Sequence, residues 1–141
     1  VKYIEDVIQV NIRFSEVDSL GIVWHGNYLK FFEDGRENLG LKYGMSYHDL
    51  YDNKLILPIV ETSLKFKSVL KFGNVARLVT QLQYNQAAKV IYKYTVFNET
   101  TGKLAAVGET TQVFVNEDME LQLVTPPVFE DWKAKQVWLE K

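Results

Sequence analysis

Apolar and polar residues alternate from Asp6 to Phe14. Ile8, Val10, Ile12 and Phe14 fall on one side, and Val7, Gln9, Asn11 and Arg13 on the other. A period of two predicts a strand with one buried face. The period then changes. Tyr28, Phe32, Gly35 and Leu39 recur at i, i+4, i+7 and i+11, and Phe31 widens their stripe, which predicts an amphipathic helix over Asn27 to Tyr43. Asn27 is expected to cap it, because an asparagine oxygen can accept from an orphan N–H of the first turn. Gly35 on the buried stripe costs up to ~1 kcal/mol against alanine; close approach of the helix to a sheet would compensate. Gly40 and Gly44 signal the helix end, and Ser46 to Asn53 reads as a further short helical turn.

The rest of the chain reads as strands: Leu55 to Lys67, Val75 to Tyr84, Lys89 to Asn98 and Leu104 to Val115. Pro58 marks an edge, a bulge or a bend in the first of them. In the second, Ala76, Leu78, Thr80, Leu82 and Tyr84 share a face; in the third, Val90, Tyr92, Tyr94 and Val96 do. The short gap at 85–88 makes these two a hairpin. Beyond Pro126 and Pro127, Phe129, Trp132, Gln136 and Leu139 are spaced for a short amphipathic helix. One strand, one long helix, four strands with short connections and a final helix predict an α+β domain, an antiparallel sheet wrapped around a central helix.

Length and composition narrow the class. A chain of 141 residues suits one domain over 1–141. With 47% apolar and 24% charged residues it can fold around its own core. Sixteen basic and eighteen acidic residues, with no basic run, argue against a nucleic-acid partner. The absence of cysteine removes disulfides, thiolate metal sites and a cysteine nucleophile. No apolar run reaches the ~18 residues of a membrane span, and the first ten residues do not resemble a signal peptide. A cytoplasmic protein is the expectation.

The stretch "SEVDSLGIVWHGNYLKFFEDG", Ser15 to Gly35, carries the candidate chemistry. Asp18 precedes a glycine bend at Gly21 and lies seven residues before His25. The start of the helix, from His25 through Gly26 to Tyr28, offers unpaired N–H groups and a partial positive charge. An acid beside such donors suits acyl transfer; a solvated or helix-capping acid is the plain alternative, and chemistry alone leaves both open. His25 and His48 have no metal-ligand spacing, so no metal is expected.

Asp18 to Arg36 resembles the signature of the hotdog-fold acyl-CoA thioesterases, in the 4-hydroxybenzoyl-CoA thioesterase family and its Tol–Pal-linked bacterial branch. Asp18, Gly21, Val23, His25, Asn27, Tyr28 and Glu33 match, while Gly35 stands where such relatives usually carry alanine. The resemblance implies a hotdog fold and hydrolysis of an acyl-CoA without a cofactor. It makes Asp18 the nucleophile or the general base. The backbone N–H of His25 would stabilise the thioester oxygen, a donor of a kind that contributes ~3 kcal/mol, and the His25 ring would position substrate or water.

Gly26, Tyr28, Glu33, Lys65 and Lys67 become substrate-binding expectations. Each has a plainer role: Tyr28 as a core aromatic, Glu33 on a solvated helix face, the lysines on a strand edge beside Lys71 and Arg77. The resemblance also implies a homodimer or homotetramer with the site at a subunit interface. Rival functions are a hotdog hydratase or dehydratase, and an acyl-binding scaffold without turnover. A pure binder gains little from a carboxylate beside a thioester.

Overall fold

The computed structural model describes all residues, Val1 to Lys141. Six strands form one sheet: β1 (Lys2–Asn11), β2 (Ile59–Phe66), β3 (Val75–Gln83), β4 (Lys89–Asn98), β5 (Lys103–Val113) and the short β6 (Leu139–Glu140). Their spatial order is β2-β5-β4-β3-β1-β6, and every pairing is antiparallel. Helices α1 (Asn27–Tyr43), α2 (Tyr47–Asp52) and α3 (Pro127–Lys135) complete the chain. An antiparallel sheet around one long helix is the α+β architecture that the pattern predicts; β3, β4 and β5 are hairpin-linked, whereas β2 crosses to the far edge and pairs with β5.

The alternating faces of β3 and β4 are the floor of the core. Ala76, Leu78, Thr80 and Leu82 are buried on β3, and Val90, Tyr92, Tyr94 and Val96 on β4. The α1 stripe lies on them: Tyr28, Phe31, Phe32, Gly35 and Leu39 are all buried. Phe32 stacks on Tyr94 with ring centroids 4.1 Å apart. Gly35 meets the sheet as its position on the stripe requires. A Cβ there would sit against Thr80 Oγ1 and 2.7 Å from Leu78 Cδ2. The residue trades helix propensity for contact between helix and strand.

Several boundaries differ from the sequence expectation, each for a tertiary reason. β1 starts at Lys2 and ends at Asn11; the chain then leaves the sheet through a 3-10 turn at Phe14–Glu16. Phe14 is therefore 75% exposed and packs edge-on against Phe72 instead of continuing the buried face. β2 begins only at Ile59, after Pro58, and its register with β5 shifts between Ile59 and Glu61. Leu55 turns inward to the core, while Glu61 points out. Helix α3 stops at Lys135, so Gln136 caps it and Leu139 pairs with Tyr3 as part of β6. The Trp132 indole N–H donates to Tyr43 O at 2.8 Å, which fastens α3 to the end of α1.

Asn27 does not cap α1. Gly26 holds that position with helical angles, φ −65° and ψ −23°, so no side chain there reaches the first turn. Asn27 is the first helical residue, buried, and its amide Nδ2 donates to Glu16 O at 2.8 Å.

Candidate active site

Asp18 sits in a tight reversal between β1 and α1. Val17 and Val23 pair across it, the Asp18 N–H donates to Ile22 O at 2.8 Å, and the Gly21 N–H donates to Asp18 O at 3.0 Å. Gly21 has φ +77°, a backbone region that disfavours any side chain. The half-buried Asp18 carboxylate accepts the Leu20 N–H on Oδ1 at 2.8 Å. That one bond orients the group and leaves Oδ2 for other partners.

The loop is tied to two further segments. Val23 N–H donates to Leu70 O at 2.8 Å, which brings the chain beyond β2 against it. Trp24 N–H donates to Glu16 O at 3.0 Å, and Asn27 N–H to Trp24 O at 2.9 Å. His25 and Gly26 lie between these bonded residues, and their own N–H groups donate to no protein acceptor. They stand at the positive end of the α1 dipole, where orphan donors are available to an anionic oxygen.

A cavity of about 340 Å³ opens at this point. Asp18, His25 and Tyr28 line one side; Phe66, Lys67 and Ser68, from the end of β2, line the other, with Ile22, Val23, Val69 and Leu70 as apolar wall. Burial pushes the Tyr28 phenol above its ordinary range, so it stays neutral. The mouth is also aromatic. The Trp24 and His25 rings lie 4.8 Å apart, and a Cβ on Gly26 would come within 2.7 Å of Trp24 Cε3. Gly26 thus lets the indole lie over the loop backbone.

The fold brings together Asp18, His25, Tyr28 and Lys67 around this cavity; Gly26 follows His25 in the chain but does not line it. Glu33 and Lys65 lie outside this cavity in their own chain. Glu33 is exposed and lines a larger groove, about 500 Å³, between α1, α2 and the sheet, with Arg36, Tyr92 and Gln112. Arg36 there donates to the Tyr94 hydroxyl at 3.0 Å, which in turn bonds Thr110 Oγ1 at 2.7 Å. The groove is the larger space; the Asp18 cavity is the one that sets a carboxylate beside the free N–H of His25 at the start of α1. Lys65 is exposed on β2, and Arg77 is occupied by Glu99 at 3.3 Å and the Phe97 ring. His48 is exposed on α2 beside Tyr47.

Sequence reasoning missed Phe66, Ser68, Val69 and Leu70 as cavity residues. They approach Asp18 through long-range backbone pairings, the Val23 N–H to Leu70 O, an Ile22–Lys71 bridge and the Phe72 N–H to Gly21 O, which no local motif announces. Ser68 is further held by its hydroxyl donating to Leu104 O at 2.7 Å.

An antiparallel sheet curled about one long helix, with an acid-bearing loop at that helix's N-terminus, defines the hotdog class of thioesterase fold. The chain belongs to the thioesterase-like superfamily, whose family model matches residues 12–135. It is 27% identical over 124 residues to YneP of Bacillus subtilis, to which acyl-CoA thioesterase activity is provisionally ascribed; the match covers 88% of this chain and 89% of YneP. It is 24% identical to the 1,4-dihydroxy-2-naphthoyl-CoA hydrolase of Thermosynechococcus vestitus, over 88% of this chain and 85% of that one. The crystal structure of a DHNA-CoA thioesterase from Staphylococcus aureus superposes with a TM-score of 0.81 at 27% identity, covering 93% of this chain and 89% of that one.

Proposed function

We propose that residues 1–141 form one hotdog domain that hydrolyses an acyl-CoA thioester to the free acid and coenzyme A. One observation carries the site assignment. Asp18, with one carboxylate oxygen unengaged, shares a cavity with His25, in the stretch where two backbone N–H groups lack acceptors. The thioester carbonyl points at the His25 and Gly26 N–H groups, which take up the negative charge as the carbonyl carbon becomes tetrahedral. Asp18 supplies the attack in one of two ways. As general base it takes a proton from water, whose oxygen bonds to the carbonyl carbon as the C–S bond breaks. As nucleophile it forms a mixed anhydride, which water then opens. Either route consumes one water and releases acid and thiol.

The other cavity residues bind. Tyr28 and Phe66, with ring centroids 5.2 Å apart, present an apolar wall to the acyl group. Lys67, with Lys65 on the same strand end, offers cations to the coenzyme phosphates. The His25 ring at the mouth positions substrate or water. No cofactor enters this scheme.

The working form is a homo-oligomer, a dimer or a tetramer. β2 is an edge strand with one unpaired side, and Ile59, Val60 and Phe66 are exposed along it. Long apolar edges invite pairing with another chain. A second copy on that edge would give Glu33 a route to an acyl group bound in the other copy's cavity. No helix is long and apolar enough to cross a membrane, and an intracellular acyl-CoA substrate together with a cysteine-free chain suits the cytoplasm.

The test is thiol release over a panel of short, long and hydroxylated aromatic acyl-CoAs. Turnover on at least one member is expected. Tight binding with no release on any would replace the enzyme by a binder.

A further inference from the structure

The carbonyl of Glu16 is a hub. It accepts two hydrogen bonds, from the Trp24 N–H at 3.0 Å and from Asn27 Nδ2 at 2.8 Å. Those two bonds use both of its lone pairs. The hub is itself held. Glu16 is 6% exposed, its N–H donates to Arg13 O at 3.0 Å, and its carboxylate Oε1 accepts the Arg13 N–H at 2.7 Å. In sequence, Asp18 lies two residues after the hub. The two free N–H groups, His25 and Gly26, lie between the residues that donate to it. The acid and the oxyanion donors thus hang from one carbonyl, on opposite sides.

We propose that Asn27 is a positioning residue for the reaction. Its side-chain amide clamps the start of α1 to the base of the acid loop and so fixes the separation of Asp18 from the His25 and Gly26 donors. Burial leaves this amide little choice of partner, and its bond spans eleven residues of chain. The Trp24 bond cannot replace it, because Trp24 precedes both donors and constrains only their upstream side. Asn27 bonds Glu16 from downstream. With it, the segment 24–27 is tied to Glu16 at both ends; without it, the backbone bond from Asn27 N–H to Trp24 O and the packing of α1 remain, but the downstream tie to the acid loop is lost. Misplacing reacting groups by about 1 Å costs on the order of a hundredfold in rate. The functional consequence rests on the thioesterase reading; the clamp itself does not.

The variants that test it are Asn27→Ala, Asn27→Asp and, as a control for stability, Ser46→Ala. Asn27→Asp keeps shape but sets an oxygen against the Glu16 carbonyl, and serves if the alanine variant fails to fold. Ser46 caps α2 outside the site and is also buried. Two readouts are needed. In steady-state thiol release, both Asn27 variants should lose about ten- to a hundredfold in kcat, with KM changed by less than about threefold. Ser46→Ala should keep its kcat. In amide hydrogen exchange, the Trp24 N–H should open about five- to tenfold faster in the Asn27 variants and not in Ser46→Ala. Unchanged kcat in a folded Asn27 variant, or a loss matched by Ser46→Ala, overturns the positioning role. Unchanged exchange at Trp24 overturns the clamp. If the parent protein releases no thiol at all, the thioesterase reading falls, and the exchange arm still decides the clamp.

Discussion

Gly40→Ala sets helix propensity against packing with opposite signs. Gly40 is buried in the last turns of α1, and its carbonyl accepts both the Gly44 N–H and the Met45 N–H, the latter at 2.8 Å. On propensity alone, alanine in a helix stabilises by up to ~1 kcal/mol. In the folded chain the new Cβ would touch Met45 O and lie 2.9 Å from both Met45 C and Ser46 Cα. All three are backbone atoms, so no side-chain rotation relieves the contact. The chain at 44–46 must retreat, which stretches the Met45 bond to Gly40 and disturbs the Ser46 cap of α2, whose N–H reaches Asp49 Oδ2 at 2.9 Å. Overpacking costs ~1–3 kcal/mol, and a weakened buried hydrogen bond about 1 kcal/mol more. The propensity gain offsets part of this, leaving a net loss of roughly 1–3 kcal/mol, or about 3–9 °C in Tm for a domain of this size. Urea titration followed by circular dichroism and by tryptophan fluorescence, at one protein concentration, measures it. An unfolding free energy equal to or above that of the parent would refute the packing argument. The kcat of the folded fraction should not change, since the Asp18 cavity is at the other end of the helix.

Two further predictions concern the site and the core. His25→Ala should lower kcat by no more than about tenfold, because the proposed donor is its backbone N–H; a loss equal to that of an Asp18 substitution would assign the chemistry to the ring. Burial raises the phenol pKa of Tyr28, Tyr92 and Tyr94 above the ordinary value. The unfolded chain therefore releases these protons first, and stability falls as pH rises past about 10. Tyr92→Phe should remove about one proton, roughly 1.4 kcal/mol per pH unit, from that alkaline slope, while changing neutral-pH stability little; an unaltered slope in Tm against pH from 9.5 to 11.5 would contradict it.

Much of the fold was legible in the chain because its cues are local. Strict alternation in β3 and β4, and the 3.6-residue stripe of α1, come from single elements facing one core. Gly35 even announced the contact of helix and sheet. The misread features depend on distant partners. Asn27 looks like a cap in isolation; the Glu16 carbonyl eleven residues earlier claims its amide instead. Phe14 continues an alternating pattern, yet the chain has already turned away from the sheet. Leu139 fits a helical spacing, but Tyr3 at the other end of the chain captures it as a strand. The site divides in the same way. Asp18, Gly21 and His25 sit in one short stretch and could be singled out there. Ser68 to Leu70 reach the cavity through long-range backbone pairing of residues 21–23 with 70–72, and Glu33, although within the signature, does not line the cavity in its own chain.

The most direct test of the central claim is the rate of thiol release by the Asp18→Asn protein. The substitution preserves shape, and its amide oxygen can still accept the Leu20 N–H that orients the group, so the loop and the Tm should be nearly unchanged. It removes the negative charge that attack on the thioester, or activation of water, requires. With an acyl-CoA that the parent protein turns over, kcat should fall on the order of a hundredfold to ten-thousandfold, with acyl-CoA binding retained. A folded Asp18→Asn protein that releases thiol at the parental rate would contradict the account.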